Sequence, residues 1–149
     1  LKEFVAKFNT TYQPGTLEAV SFDESGKELG RSMIQTASEE TVLTVTPETT
    51  VLKANGEDLA YIVVNVTDNE GIVKVLEEKT VHAKVEGAGM LQAVGSGSPR
   101  TTEKYTGTSF TTYHGRMVAV VRSGTETGEI KVTISAEGLA EKSITLKVL

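Results

Sequence analysis

The chain has 149 residues, of which 38% are hydrophobic and 23% are charged, a composition typical of one medium globular domain or one and a half small ones. Fifteen basic and twenty acidic residues are interspersed and give a net charge of −5, so no basic stripe is available to bind nucleic acid. The absence of cysteine excludes disulfides and thiolate metal sites, and no apolar run approaches the roughly 18 residues that insertion into a membrane as a helix requires.

The first 36 residues contain three runs of alternating side chains, which predict three short strands. The first run carries Phe4, Ala6 and Phe8 on one face, and the other two cover Leu17–Phe22 and Leu29–Thr36. Three strands are too few for an independent sandwich. We therefore expect residues 1–38 to be the C-terminal strands of a preceding, truncated β-sandwich, and the chain to be a piece of a longer protein.

The segment Thr36–Glu40 is polar and small, which predicts a link between domains. The strand signals after it are more regular. Leu59–Thr67 is apolar on both faces, as in a central strand, and Tyr61 is a candidate to fill the core. The other runs with strand character are Thr41–Thr46, Thr50–Leu52, Val81–Glu86, Met90–Val94, Arg116–Arg122, Ile130–Ser135 and Ile144–Val148.

About seven strands at a spacing of roughly 8 to 12 residues predict an immunoglobulin-like β-sandwich over residues 41–149. No window of 11 or more residues has a helical stripe, so the predicted fold class is all-β. The glycines of Gly87–Gly89 predict a bend between two strands. The Thr-rich stretch that ends at Thr112 gives no clear prediction.

No catalytic, cofactor-binding or metal-binding residues are predicted from the side chains. His82 lies on the polar face of a strand and His114 in a turn, and two histidines without a third ligand do not predict a metal site. The pairs Glu39-Glu40 and Glu77-Glu78 lie in loops, where neighbouring side chains diverge. Glycoside hydrolysis needs two carboxyl groups held about 5 to 10 Å apart on a rigid scaffold.

Two further patterns have ordinary structural explanations. Gly87–Gln92 contains the first two glycines of a dinucleotide fingerprint, but Gln92 replaces the third glycine and a strand follows instead of a helix. The triplets at Asn9 and Asn65 match the glycosylation pattern, although Asn65 falls within a predicted strand, where it is a poor acceptor. Neither pattern predicts a function.

Aromatic residues make up only 5% of the chain, and tryptophan is absent. Those in or near predicted loops are Tyr12, Tyr105, Phe110 and Tyr113. Sugar-binding modules commonly present flat aromatic rings, so a weak carbohydrate contact stays open. Packing in a core or an interface is the favoured explanation of these rings.

From Val51 onward the chain resembles the C-terminal immunoglobulin-like domain of bacterial family 2 glycoside hydrolases, the β-galactosidase group. The matching elements are Leu52–Tyr61, Val85–Gly89, Gly115–Ser123 and Glu137–Leu139. Residues 4–36 resemble the last strands of the preceding sandwich domain in these enzymes, with Tyr12–Val20 as the most similar run. In one departure, Gly95–Pro99 replaces a loop that commonly reads asparagine-glycine-aspartate-proline.

The resemblance implies a parent enzyme that hydrolyses terminal β-galactosides by a retaining mechanism with two glutamates in an upstream barrel. No residue of this chain matches either glutamate, so we expect the chain itself to be an inactive accessory domain without a cofactor. Its expected partners are the catalytic and other domains of the parent. A bacterial protein that is secreted, periplasmic or at the cell surface is implied.

Two alternatives remain open at this point. Immunoglobulin-like modules also serve as independent carbohydrate-binding or cell-surface adhesion modules. In addition, the truncated first sheet is expected to expose Phe4, Phe8 and Leu17, and exposed strand edges favour pairing. A homodimer formed through residues 1–36 is therefore a further expectation.

Overall fold

A computed structural model describes residues 5–149 of the chain, and its regular structure consists of β-strands joined by turns. The chain divides into two compact units, Leu1–Thr36 and Ala37–Leu149. Within the described range no helix is present, which agrees with the predicted all-β class. Accordingly, nothing in residues 5–149 forms a helix long and apolar enough to cross a membrane.

The first unit contains an antiparallel hairpin of β1 (Thr16–Phe22) and β2 (Glu28–Gln35), as the second and third alternating runs predicted. Its loop is closed by Asp23, whose carboxylate accepts hydrogen bonds from the backbone N–H groups of Ser25 and Lys27, at 2.8 and 2.9 Å. These bonds fix the loop because they replace backbone partners that a tight turn leaves unpaired.

The first predicted strand differs from the structure. Phe4 lies outside the described residues, and after a bridge at Val5 the segment 6–15 contains no strand. Phe8, which was expected to be exposed, is 87% exposed, and Leu17 is 56% exposed. The described part of the first unit therefore supplies two strands where about three were expected.

The second unit consists of nine strands within residues 37–149, and seven of them are longer than three residues. They are β3 (Val42–Pro47), β4 (Val51–Leu52), β5 (Leu59–Thr67), β6 (Thr80–Gly87), β7 (Gly89–Gly95), β8 (Ser109–Thr111), β9 (Arg116–Ser123), β10 (Gly128–Ala136) and β11 (Lys142–Val148). The unpredicted strand β8 lies in the Thr-rich stretch.

These strands form two sheets. The four-stranded sheet has the order β3-β5-β9-β7 and is antiparallel throughout. The five-stranded sheet has the order β4-β11-β10-β6-β8 and is antiparallel except for the parallel pair of β4 and β11. Gly87 ends β6 in the second sheet and Gly89 begins β7 in the first, so the predicted glycine bend carries the chain from one sheet to the other.

The two sheets of the second unit share one apolar core. Every second residue of the long strands points into it, because successive side chains in a strand alternate between faces. Fully buried members include Ile62, Val64, Val81, Phe110, Val121, Ile130, Val132, Ile134 and Leu146. Complete burial of one such aliphatic side chain stabilises the fold by about 1.5–3 kcal/mol. The alternation predicted for β6, β10 and β11 is confirmed.

Two predictions about aromatic side chains are wrong. Tyr61 was expected in the core, but it points outward from β5 and is 42% exposed, because its neighbours Ala60 and Ile62 occupy the inward positions. Phe110 was expected in or near a loop, but it lies in β8; its complete burial agrees with packing in a core, the favoured explanation of this ring. Strand β5 is central, as predicted, yet only one of its two apolar faces is in the core.

Candidate functional site

The two histidines lie in separate surroundings. His82 is exposed on the outward side of β6, as the sequence predicted. His114 occupies the turn before β9 with a φ of 50°, and its ring lies 4.2 Å from that of Tyr113. Among residues 5–149 no group of three or more histidine, cysteine, aspartate or glutamate side chains is placed to hold a metal ion.

The acidic pairs identified in the sequence take structural roles in loops. The carboxylate of Glu40 accepts a hydrogen bond from the side-chain amide of Asn69. The backbone carbonyl of Glu77 accepts a hydrogen bond of 3.4 Å from the Thr112 hydroxyl. Glu103 accepts hydrogen bonds from the backbone N–H and the hydroxyl of Thr111, at 2.9 and 3.1 Å. The sequence gave no signal for this contact. In each of these contacts the glutamate meets an amide or hydroxyl donor, so the contacts hold loops together.

The carboxylate of Asp68 accepts three backbone hydrogen bonds, and the residue is only 2% exposed. One oxygen accepts hydrogen bonds from the backbone N–H groups of Glu70 and Ile72, at 3.0 and 2.8 Å, and these bonds close the turn after β5. The other oxygen accepts the N–H of Ser38 at 2.8 Å. The pKa of Asp68 lies below its ordinary value, and the hydrogen bond from Ser38 is the largest cause. Burial acts in the opposite direction and raises the pKa.

The predicted link between domains is held on the surface of the second unit. The ammonium group of Lys74 donates hydrogen bonds of 2.8 Å to the backbone carbonyl of Glu39 and to the hydroxyl of Thr41. Together with Asp68 and Asn69, Lys74 forms what we call the linker clasp. The sequence identified the link but gave no signal for the three side chains that bind it.

The run from Asn55 to Asp58, part of the motif that carried the family resemblance, forms a self-bonded loop. The amide oxygen of Asn55 accepts the N–H groups of Glu57 and Asp58, both at 2.9 Å. The carboxylate of Asp58 accepts the N–H of Lys53 at 2.8 Å, and its backbone carbonyl accepts the N–H of Ser123 at 2.9 Å. The motif therefore has a structural role: it ties this loop to the end of β9.

The outward side of the four-stranded sheet is unusually apolar, and we call it the outer face. Its centre consists of two cross-strand rows, because the register aligns side chains of β5, β9 and β7. One row contains Tyr61, Val120 and Ala93, and the other contains Val63, Val118 and Gly95. The two remaining outward residues of β9, Arg116 and Arg122, lie at its two ends.

An open groove of about 490 Å³ lies along the β7 side of the outer face. The ring of Tyr105 forms one wall, is 53% exposed, and stacks on Phe110 with a centroid distance of 5.2 Å. A Cβ atom on Gly95 would lie 3.0 Å from the Tyr105 ring, so glycine leaves room for it. Ser96 and Gly97, from the loop that departs from the family pattern, also line the groove.

Comparison with known families identifies the chain. Residues 43–145 match the family model Glycoside hydrolase family 2 C-terminal domain 5, and the chain belongs to this family. It is the C-terminal accessory domain of a family 2 glycoside hydrolase, as the sequence motifs indicated.

Individual relatives are bacterial and much longer than this chain. Beta-galactosidase BoGH2A of Bacteroides ovatus is 28% identical over 130 residues, which are 87% of this chain and 15% of that protein. A glycosyl hydrolase family 2 member from Bacteroides cellulosilyticus has a TM-score of 0.90 and 32% identity, covering 94% of this chain and 18% of the other. A β-glycosidase from Bacteroides vulgatus shares the fold, with a TM-score of 0.84 and 24% identity over 92% of this chain and 18% of that one.

Proposed function

We propose that this chain is the non-catalytic C-terminal region of a retaining β-galactosidase, in which it packs against and spaces the other domains. The family match over residues 43–145, together with the similarity to a β-galactosidase, is the observation that carries this proposal.

Within this proposal, residues 41–149 are an immunoglobulin-like β-sandwich. That assignment is supported by the presence of two mainly antiparallel sheets that share one apolar core. Residues 1–38 are the last strands of the preceding sandwich domain. Support comes from the hairpin β1–β2, in which Phe22, Met33 and Ile34 are 59% to 68% exposed. Two strands cannot bury a core of their own, so these side chains require cover from further chain.

When the 149-residue chain is isolated, the same exposed hairpin favours a homodimer through residues 1–36. Among the described residues β1 and β2 pair only with each other, which leaves each strand with an exposed edge, and apolar side chains such as Met33 and Ile34 are exposed. Light scattering over a range of concentrations tests this proposal. A strictly monomeric chain at high concentration would contradict it.

The activity of the parent and the inactivity of this region are tested together. The isolated chain and the complete parent enzyme are each incubated with a chromogenic β-galactoside. We expect turnover only by the parent, because both catalytic glutamates are proposed to lie in its barrel. Turnover by the isolated chain would refute a non-catalytic role, and a parent active only on another glycoside would refute the β-galactosidase assignment.

The proposed compartment is bacterial and outside the cytoplasm: secreted, periplasmic or cell-surface. The named relatives, which come from Bacteroides, support the bacterial source. Fractionation of the source cells with an antibody to this domain tests it. Recovery in the cytoplasmic fraction would contradict the proposal.

A second candidate function, carbohydrate binding, is favoured by the groove beside Tyr105. An exposed aromatic ring can cover the apolar face of a sugar, while the exposed Arg116 on the same groove can bind hydroxyl groups. Calorimetry with galactosides and a glycan array test this function. Saturable binding that is lost in Tyr105→Ala but kept in Tyr12→Ala would favour a binding module over a purely structural one.

A further inference from the structure

The outer face of the four-stranded sheet is apolar without being part of the core. Tyr61 is 42% exposed and Met90 is 49% exposed, and Val63, Val118 and Val120 between them are half-buried. The outward side of the five-stranded sheet differs, since it carries residues of both charge signs such as Lys84, Glu86 and Lys131. A contiguous apolar surface on a domain of this size is typical of an interaction site.

Buried polar groups without a hydrogen-bond partner also lie on the outer face. In the described part of the chain, three such side-chain atoms are found: the amide oxygen of Asn65, the hydroxyl of Ser96 and Nε of Arg122. Asn65 and Ser96 lie near the Arg116 end of the face, whereas Arg122 lies at its opposite end. Because a buried polar group without a partner is energetically unfavourable, both ends of the face carry groups whose partners a docked surface can supply after side-chain rotation.

The charged residues of the outer face indicate what kind of surface can dock on it. Strands β3, β5, β7 and β9 contain no aspartate or glutamate, whereas β9 carries Arg116 and Arg122 at the two ends of the apolar rows. Neither arginine forms an ion pair with any described residue. A symmetric pairing of two copies through this face would bring arginines together, which is unfavourable. The complementary surface is apolar at its centre and carries carboxylates at its edges.

We propose that the outer face docks this domain onto another domain of its parent enzyme, at an apolar patch flanked by carboxylates that pair with Arg116 and Arg122. The inference rests on the proposed accessory function and adds the surface through which it acts. The chain covers only 18% of a solved relative, so in such an enzyme most of the chain lies outside this region and is available as the partner. The apolar rows would supply the buried centre of the interface and the arginines its specificity.

Hydroxyl-radical footprinting of the isolated chain and of the complete parent enzyme tests this proposal. We expect the modification rates of Tyr61 and Met90 to fall at least about fivefold in the parent, because a docked interface excludes solvent from its centre. The rate at His82, on the outward side of the other sheet, should not change. Equal rates at Tyr61 and Met90 in the two proteins, or equal protection of His82, would overturn the proposal.

Charge-reversal variants of the parent sharpen the test. Arg116→Glu should return Tyr61 to the modification rate of the isolated chain, whereas Lys131→Glu, an exposed reversal on β10, should leave Tyr61 protected. Protection of Tyr61 that appears in the isolated chain as its concentration rises would assign the face to a second copy and overturn the proposal. A parent that shows the footprint but lacks β-galactosidase activity would refute only the proposed activity.

Discussion

The backbone N–H of Ser38 donates a hydrogen bond of 2.8 Å to the carboxylate of Asp68, 30 residues further along the chain. The bond joins the segment identified as a link to the turn that follows β5. Because Asp68 is almost completely buried, water cannot replace the partners of its carboxylate if they are removed. The link is thus a bound part of the second unit.

We expect Asp68→Asn to lower the free energy of unfolding at neutral pH. The further loss of stability on acidification should be smaller in this variant than in the original chain. The pKa of Asp68 is lowered in the folded chain, so its contribution is fully present above the ordinary value of 3.8 and is lost as the pH falls through the lower folded value. The asparagine presents an N–H₂ group to backbone donors and loses the charge. The midpoint of urea unfolding, measured from neutral pH to about pH 2, checks this expectation.

Glu137→Gln is the matched control, since Glu137 is exposed in the turn between β10 and β11. It should keep the acid dependence of the original chain. Some dependence should survive in Asp68→Asn as well, because the pKa values of Asp23, Glu28 and Glu86 are also lowered. If stability fell with acid equally steeply in Asp68→Asn and in the original chain, ionisation of Asp68 would not contribute to stability.

Lys74→Met should loosen the link without unfolding the sandwich. The methionine keeps much of the apolar stem but removes both hydrogen bonds, to Glu39 and Thr41. A protease specific for glutamate should therefore cut after Glu39 and Glu40 severalfold faster, since cleavage requires local opening. Lys53→Met, at an exposed lysine, is the control. Equal cleavage rates in the two variants would argue against a linker clasp.

Phe110→Ala should be among the most damaging single changes in the chain. Phe110 is completely buried and stacks on Tyr105, so truncation removes a large apolar side chain and leaves a cavity. We expect a loss of about 3–5 kcal/mol in the free energy of unfolding. Tyr61→Ala in the isolated chain should cost far less, because Tyr61 points outward. A similar loss in both variants would contradict the assignment of the two rings.

Two glycine substitutions distinguish the stability cost of a steric clash with the backbone from the cost of a positive φ alone. At Gly87 an added Cβ would lie 2.1 Å from the carbonyl oxygen of Glu129, and φ is 102°. Gly138 has a φ of 76° but nothing within 4 Å of the added atom. Gly138→Ala should cost about 1–2 kcal/mol, whereas Gly87→Ala should cost clearly more or prevent folding. Urea unfolding of the two variants measures the difference.

The alternation of side chains was sufficient to predict most of the second unit. Val81, Ala83 and Val85 alternate with polar residues, and only one arrangement of such a strand buries its apolar side. Strand β5 shows the limit of this reasoning. Its outward residues Tyr61 and Val63 are as apolar as its inward ones, so periodicity could not tell which face meets the core.

The contacts that define the candidate sites were less accessible to sequence reasoning. Ser38 and Asp68 meet only because β5 brings a distant turn beside the link, and no short-range pattern marks that contact. Arg116 and Arg122 appeared in a matching family element, but nothing in the sequence indicated that both point outward without an ion pair. The strand that carries Phe110 was not predicted because it has only three residues, fewer than an alternation needs to become visible.

The position of β11 determines when this domain can form during synthesis. It lies between β4 and β10, with Lys147 opposite Val51 and Ile144 opposite Val132. On the ribosome, β4 therefore waits for a neighbour made nearly a hundred residues later, while β10 emerges with one edge unpaired. Until β11 pairs with both neighbours, a nascent chain presents the open edges of β4 and β10, and such edges favour aggregation.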